Sequence, residues 1–277
     1  MKTEGNTLGI VGCGNMGSAL VENLRKRPSF KDIFVFDKDK ARQDSLVKGF
    51  QVKGCQDIRD LVSKSDTVVV AVKPQDIDGV FNELRGARGK LIISIAAGIT
   101  LGFMEAAIGK DKTLVRAMPN INALVGQSVT ALCANSVAGR EGLDHARAIF
   151  ESVGKVVFVQ DSQMNAVTAI SGSGPAFVAY LIKDLGEAAL ERVMIRESQH
   201  FKIEPATASV LAHETIAGTK TNLVNFDAAM LIKRVSSKGG TTEAGMKVLE
   251  EKGKTEEALT EAIRAAEKRA TELSRRR

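Results

Sequence analysis

Short runs of apolar and β-branched residues punctuate the first half of the chain. They fall at Leu8–Val11, Asp32–Phe36, Thr67–Val72, Leu91–Ile95, Thr113–Arg116, Ser128–Leu132 and Val156–Val159. Most are apolar at consecutive positions, so they predict strands buried on both faces, as in a parallel sheet. Between the early runs the apolar positions recur at helical spacing over Ser18–Arg27, Ala41–Lys48, Ile58–Lys64, Gln75–Arg85 and Leu101–Ile108. Strand and helix in alternation predict βαβ units. After Asp161 the strand pattern stops. Helical periodicity then covers Met164–Ile170, Ala176–Arg192, Pro205–Ala217, Thr242–Glu251 and Thr255–Ser274, the last with Leu259, Ile263, Ala266 and Ala270 on one face. The expectation is an α/β chain in two parts: a sheet domain over residues 1–161 and an all-helical domain over 162–277.

The first apolar run leads directly into Gly12-Cys13-Gly14-Asn15-Met16-Gly17, and a helical pattern follows. A Gly-x-Gly-x-x-Gly between strand and helix is a dinucleotide-binding turn of the Rossmann type. Gly12 permits the turn, Gly14 lets backbone approach a pyrophosphate, and Gly17 lets the helix pack on the strand. The helix N-terminus adds unpaired N–H groups and the positive end of its dipole. Asp37 ends the second strand, twenty residues after Gly17. An acid there accepts from ribose hydroxyls and favours NAD, whereas the cations around it, Lys38, Lys40 and Arg42, suit a 2′-phosphate. Both readings stay open.

Other strand ends would face the same crevice. Val72-Lys73-Pro74 closes the third clear strand and offers Lys73 to a phosphate, a ribose or simply solvent. Ala96-Ala97-Gly98 follows the next strand, with side chains small enough for a flat ring to lie against backbone. Asn120, after Met118-Pro119, either hydrogen-bonds a ligand carboxamide or caps a turn. The expected cofactor residues are therefore Gly12, Gly14, Asn15, Met16, Gly17, Asp37, Lys38, Val72, Lys73, Pro74, Ala96, Ala97, Gly98 and Asn120.

Composition narrows the function class. Of 277 residues 44% are hydrophobic and 26% charged, which is ordinary for a globular protein. No stretch has the length and apolarity of a membrane span, and Met1–Asn6 leads straight into the first strand, leaving no room for a signal peptide. Cytoplasm is the expected compartment. Three cysteines, far apart and odd in number, argue against a disulfide framework. His145, His200 and His213 lack the spacing of metal ligands. The net charge of +6 owes part of its value to the tail Ser274–Arg277. Elsewhere basic residues alternate with glutamate on helix faces, a pattern that argues against nucleic acid as partner.

Two glycine-rich segments lie in the helical half, Ser171-Gly172-Ser173-Gly174-Pro175 and Ser236-Ser237-Lys238-Gly239-Gly240-Thr241-Thr242. Each precedes a helix and presents N–H groups and hydroxyls at its N-terminus, which suits a carboxylate. The apolar and small residues of the late helices exceed what one small domain buries, so a helical dimer interface is expected.

In this order, Ala71–Gln75, Ser94–Thr100, Ser171–Ala176 and Ser236–Thr242 resemble the pyrroline-5-carboxylate reductase family, and the resemblance runs from Leu8 to about Glu272. It implies NAD(P)H-dependent reduction of 1-pyrroline-5-carboxylate to L-proline, the last step of proline biosynthesis, with no metal. It implies homodimers that assemble into decamers, formed by the helical domain. It gives the carboxylate of the substrate to Ser237 and the N–H groups of Gly239, Gly240 and Thr241, and the imine nitrogen to the Thr242 hydroxyl. Lys238 stands where the family usually has proline, and Asn165 where it usually has aspartate. Two other readings compete. A β-hydroxyacid dehydrogenase needs a lysine one turn after a glycine-rich loop, where this chain has Val178. A nucleotide-binding sensor without turnover is the other, because fold alone never proves activity.

Overall fold

The computed structural model describes residues 7–26 and 30–275. The expectations for Met1–Asn6, for Arg27 at the end of the first helix and for Arg276-Arg277 lie outside those residues. The chain forms two compact units. One comprises Met1–Ala117 and Leu132–Val153, the other Met118–Ala131 and Gly154–Arg277.

The first unit alternates as the apolar pattern predicts. It runs β1 (Thr7–Val11), α1 (Asn15–Lys26), β2 (Asp32–Phe36), α2 (Lys40–Phe50), β3 (Lys53–Gly54), α3 (Ile58–Lys64), β4 (Thr67–Val70), α4 (Ile77–Leu84), β5 (Leu91–Ser94), α5 (Leu101–Ile108) and β6 (Thr113–Met118). It closes with the end of β7 (Ser128–Ala134) and α6 (Gly139–Phe150). The strand order is β3-β2-β1-β4-β5-β6-β7. Pairing from β3 through β6 is parallel. The order reverses between β1 and β4, the position where an open parallel sheet leaves a crevice at its carboxyl edge. Register brings the relevant ends level there, with Val11 opposite both Phe36 and Val70. Aspartate and threonine set the helix starts. Asp57 Oδ1 accepts from Asp60 N at 2.7 Å and Thr100 Oγ1 from Phe103 N at 3.1 Å.

The second unit pairs the start of β7 with β8 (Gly154–Phe158). Helices follow: α7 (Met164–Val167), α8 (Gly174–His200), α9 (Pro205–Asn225), α10 (Ala228–Val235), α11 (Thr241–Lys252) and α12 (Glu256–Arg275). Phe177, Leu181, Val193, Leu211, Leu249 and Ile263 make its core, each at most 1% exposed. α8 is broken at Gly186, whose φ of 72° and ψ of 168° are not helical. The segment Glu191–Lys202, whose role the sequence leaves open, is largely the last turns of α8. There Glu197 is buried and accepts from Arg264 Nε at 2.8 Å.

The structure departs from the pattern in several places. β3, α6 and α10 are not among the expected elements, although α6 and α10 are both amphipathic at helical spacing. β3 is two exposed residues, held by pairing with Phe34 and Val35. Ser171–Pro175, expected as an open loop, is instead a wide helical turn over Thr168–Gly172 that runs into α8, with Ser171 and Ser173 buried. The compact units also differ from a single cut after Asp161. Residues 118–131 and β8 belong with the helices. Asn122 Nδ2 donates to Thr215 O at 3.1 Å and Thr221 Oγ1 to Gln127 at 2.8 Å, tying this stretch to α9. Among the described residues no single helix is long and apolar enough to cross a membrane.

Candidate functional site

The glycine turn in the first unit has the shape a dinucleotide needs. Gly12 has φ of 105°, and a Cβ there would stand 2.6 Å from Ala71 O. A Cβ on Gly17 would stand 2.0 Å from Gly12 O, so α1 can pack against the turn only through glycine. At Gly14 a Cβ would meet no protein atom within 4 Å. The fold requires the outer two glycines, and the middle one keeps a bare backbone surface open. Ser18 N donates to Gly14 O at 2.9 Å, closing the first turn of α1. The N–H groups of Asn15, Met16 and Gly17 precede that bond and are helix-terminal donors. This cradle fits a pyrophosphate.

Asp37 stands beside it. Its Oδ2 accepts from Cys13 N at 2.6 Å and its Oδ1 from Asp39 N at 2.8 Å. The carboxylate therefore braces the glycine turn as well as its own turn, and any ribose hydroxyl shares it with those two donors. Lys38 Nζ lies 2.6 Å from Asp76, and Arg42 Nε 3.2 Å from Asp39. Both pairs are largely exposed, so neither cation is held strongly. Burial, with the Asp37 charge second, pushes the Cys13 thiol up to about 12. It is a small filler in the turn rather than a nucleophile.

Val72, Lys73 and Pro74 follow β4. Lys73 is exposed and extended, and Pro74 opens a short 3₁₀ turn ahead of α4. Ala96 and Gly98 are buried and Ala97 is partly exposed, with Ala96 N donating to Ser94 Oγ at 3.4 Å. Asn120 belongs to the other unit and is 2% exposed. Its Nδ2 donates to Ser171 Oγ at 3.1 Å and its Oδ1 accepts from Asn122 N at 3.2 Å. Both ends of the amide are engaged inside the protein. Asn120 thus caps the short 3₁₀ turn that follows it, one of the two roles its position suggests.

The second unit holds the other group of expected residues. Gly240 caps α11, and Thr241 and Thr242 are its first helical residues. Gly240 N donates to Ser237 O at 2.9 Å, which folds Ser237–Gly240 into a turn. Gly239 N donates to the Glu243 carboxylate, and Gly239 O accepts from Arg269 Nε at 2.8 Å. Of the four donors expected for a carboxylate, the Gly240 N–H is thus held inside the turn, and the Gly239 N–H has a carboxylate partner from the chain itself. The N–H groups of Thr241 and Thr242 precede the first bond of α11, from Ala244 N to Gly240 O at 3.3 Å. Thr242 is 4% exposed, and its hydroxyl donates to Ser173 Oγ at 3.1 Å. Ser173 Oγ also lies 2.9 Å from Thr241 Oγ1. Two glycine-rich segments 69 positions apart are therefore joined by side-chain hydroxyls. Glu243 and Arg269 are the members that spacing did not single out, and Ser173 entered only as part of the first glycine-rich segment. Arg269 reads as one more cation on an amphipathic helix, and Glu243 as an ordinary first-turn acid. Among the described residues no group of three or more His, Cys, Asp or Glu side chains is placed to hold a metal ion.

Known proteins match along nearly the whole chain. The family described as pyrroline-5-carboxylate reductase dimerisation matches residues 161–273, and that described as coenzyme F420-dependent NADP oxidoreductase matches residues 7–98. The pyrroline-5-carboxylate reductase of Synechocystis is 37% identical over 97% of this chain and 98% of its own. Among solved structures, the Coxiella burnetii pyrroline-5-carboxylate reductase has a TM-score of 0.67 at 30% identity, covering 97% of this chain and 98% of that one. The Plasmodium falciparum pyrroline carboxylate reductase, solved with NADP bound, has a TM-score of 0.65 at 26% identity, with the same coverage.

Proposed function

The chain belongs to the pyrroline-5-carboxylate reductase family, and from that premise we propose how its own residues carry the reaction. The protein is an NAD(P)H-dependent oxidoreductase that reduces the cyclic imine 1-pyrroline-5-carboxylate to L-proline. The observation that carries the site assignment is the start of α11. A buried threonine hydroxyl sits in the first turn of a helix that Gly240 caps, beside the helix-terminal N–H groups of Thr241 and Thr242.

The substrate carries a carboxylate and a ring nitrogen on neighbouring parts of a small ring, and this segment offers a partner for each. The helix-terminal N–H groups of Thr241 and Thr242, with the Ser237 hydroxyl, hold the carboxylate. The substrate also takes the place of Glu243 at the Gly239 N–H. Arg269 fixes the turn from behind through Gly239 O. The Thr242 hydroxyl, whose one proton goes to Ser173 Oγ, offers its oxygen to the ring nitrogen and accepts the N–H of the protonated imine, the form that takes up hydride most readily. In the first unit Gly12, Gly14 and Gly17, with the N–H groups of Asn15 and Met16, hold the pyrophosphate. Asp37 and Lys38 address the adenosine ribose, and Val72–Pro74 and Ala96–Gly98 line the rest of the crevice edge. When bound, NAD(P)H supplies the hydride.

The reading extends to a homodimer built by the helical unit, assembled further into a decamer, in the cytoplasm. The family assignment of residues 161–273 supports the dimer, and three buried free cysteines suit a reducing compartment. Expression in a bacterial strain that lacks its own reductase tests the function. Growth without added proline is expected. Failure of a well-expressed, folded protein to restore growth would overturn the assignment.

A further inference from the structure

Ser173 has no role in the reaction as derived so far, yet its surroundings single it out. It is fully buried at the junction between the wide turn Thr168–Gly172 and α8. Its N–H donates to Thr168 O at 2.8 Å. The neighbouring backbone is tightly seated. A Cβ on Gly172 would come within 2.6 Å of Met118 Cε, and one on Gly174 within 2.9 Å of Thr215 Cγ2. A π-type turn inserts one residue into a helix and rotates the side chains after it, and such turns gather at functional sites. Here the result is that Ser173 Oγ lies between two hydroxyls at the start of α11, 3.1 Å from Thr242 and 2.9 Å from Thr241.

A threonine hydroxyl alone turns freely about its C–O bond. A hydroxyl that must meet a ring nitrogen at one geometry loses rate in proportion to the time it points elsewhere. A buried hydroxyl also needs a partner of its own. Ser173 meets both needs for Thr242, and Thr241 in turn fixes Ser173. Resting on the reductase reading above, we propose that Ser173 is a positioning residue: it holds the Thr242 hydroxyl at the orientation in which it meets the ring nitrogen, and acts on the reaction only through Thr242.

The test is a double-mutant cycle on the full-length protein, with 1-pyrroline-5-carboxylate as substrate. Ser173→Ala lowers kcat by about tenfold, the equivalent of one ordinary hydrogen bond. The KM for the imine and the affinity for NADPH measured by titration in the absence of substrate stay within about twofold. In a Thr242→Ala background, Ser173→Ala causes no further loss, because the group it positions is already gone. A merely structural role would lower the melting temperature and multiply with Thr242→Ala. If Ser173→Ala fails to fold, Ser173→Cys, which fills the site with a slightly larger atom but accepts hydrogen bonds weakly, takes its place in the same cycle. An unchanged kcat in the single variant, or losses that multiply in the double variant, would overturn the proposal. A wild-type protein that binds NADPH but leaves the imine untouched would instead remove the reductase reading on which it stands.

Discussion

The three glycines of the β1–α1 turn differ in what they touch, and this separates folding from binding in one experiment. A Cβ on Gly17 would lie 2.0 Å from the backbone oxygen of Gly12, which no side-chain rotation relieves. The helix must shift off the strand, and overpacking of that kind costs on the order of 3 kcal/mol or more. Gly17→Ala is expected to lower the melting temperature by several degrees and to weaken the cofactor only as a consequence. At Gly14 a Cβ would meet no protein atom within 4 Å. Gly14→Ala therefore leaves stability within about 0.5 kcal/mol of wild type, or raises it slightly by restricting the unfolded chain. The added methyl stands where a pyrophosphate approaches the backbone, and losing that approach should cost about 1.4–2.8 kcal/mol, or tenfold to a hundredfold in dissociation constant. The assay pairs thermal unfolding with titration of NADH and NADPH fluorescence. Unchanged affinity in a folded Gly14→Ala protein would refute the placement of the pyrophosphate at this turn.

Thr242→Ala should lower kcat by on the order of 10²–10³ at most, with cofactor affinity unchanged; full turnover would remove Thr242 from the mechanism. Asp37→Ser should raise the NADPH-to-NADH ratio in kcat/KM by about tenfold, because a negative charge leaves the region of the 2′-position. It should also lower the melting temperature, since the Cys13 and Asp39 N–H groups lose their shared acceptor. An unchanged ratio would mean that Lys38 or Arg42 already decides cofactor choice. His145 is half-buried against Phe30 and hydrogen-bonded to Thr67 at 3.1 Å, and burial holds its pKa below the ordinary 6.5. Its protonation therefore favours the unfolded chain. Its contribution to stability is complete above about 6.5 and declines as pH falls from there toward the folded-state value. Urea midpoints measured across that range should fall with acid in wild type and flatten in His145→Gln; parallel curves would exclude the residue.

Legibility in the sequence followed from how local each feature is. The β1–α1 turn announces itself because strand, glycines and helix are contiguous, and the parallel sheet because most of its strands are apolar at consecutive positions. α6 is absent from the expected elements although its buried Gly142, Ala146, Ile149 and Phe150 recur at helical spacing. α10 is eight residues long with Leu231 alone fully buried, so it offers only two turns of its amphipathic pattern. Ser171–Pro175 carries the composition of a loop, yet it is helical on both sides of a bend at Ser173, and distant partners satisfy its serines: Asn120 for Ser171, Thr241 and Thr242 for Ser173. The cap at Asn120 is one of the two readings its sequence position leaves open, and its bond to Ser171 is the part that spacing does not show. The two engaged oxygens of Asp37 are equally invisible to spacing, which sees the acid but not the backbone donors around it.

The central claim is the reaction itself, and direct observation of it is the sharpest test. Purified protein is mixed with 1-pyrroline-5-carboxylate and either NADH or NADPH, the loss of reduced-nicotinamide absorbance is followed, and the product is identified. Decay in at least one cuvette, with L-proline formed in equal amount, is the predicted result, and the ratio of the two rates reports how Asp37 and Lys38 divide the choice of cofactor. No decay in either, from folded protein that binds the cofactor, would contradict the account.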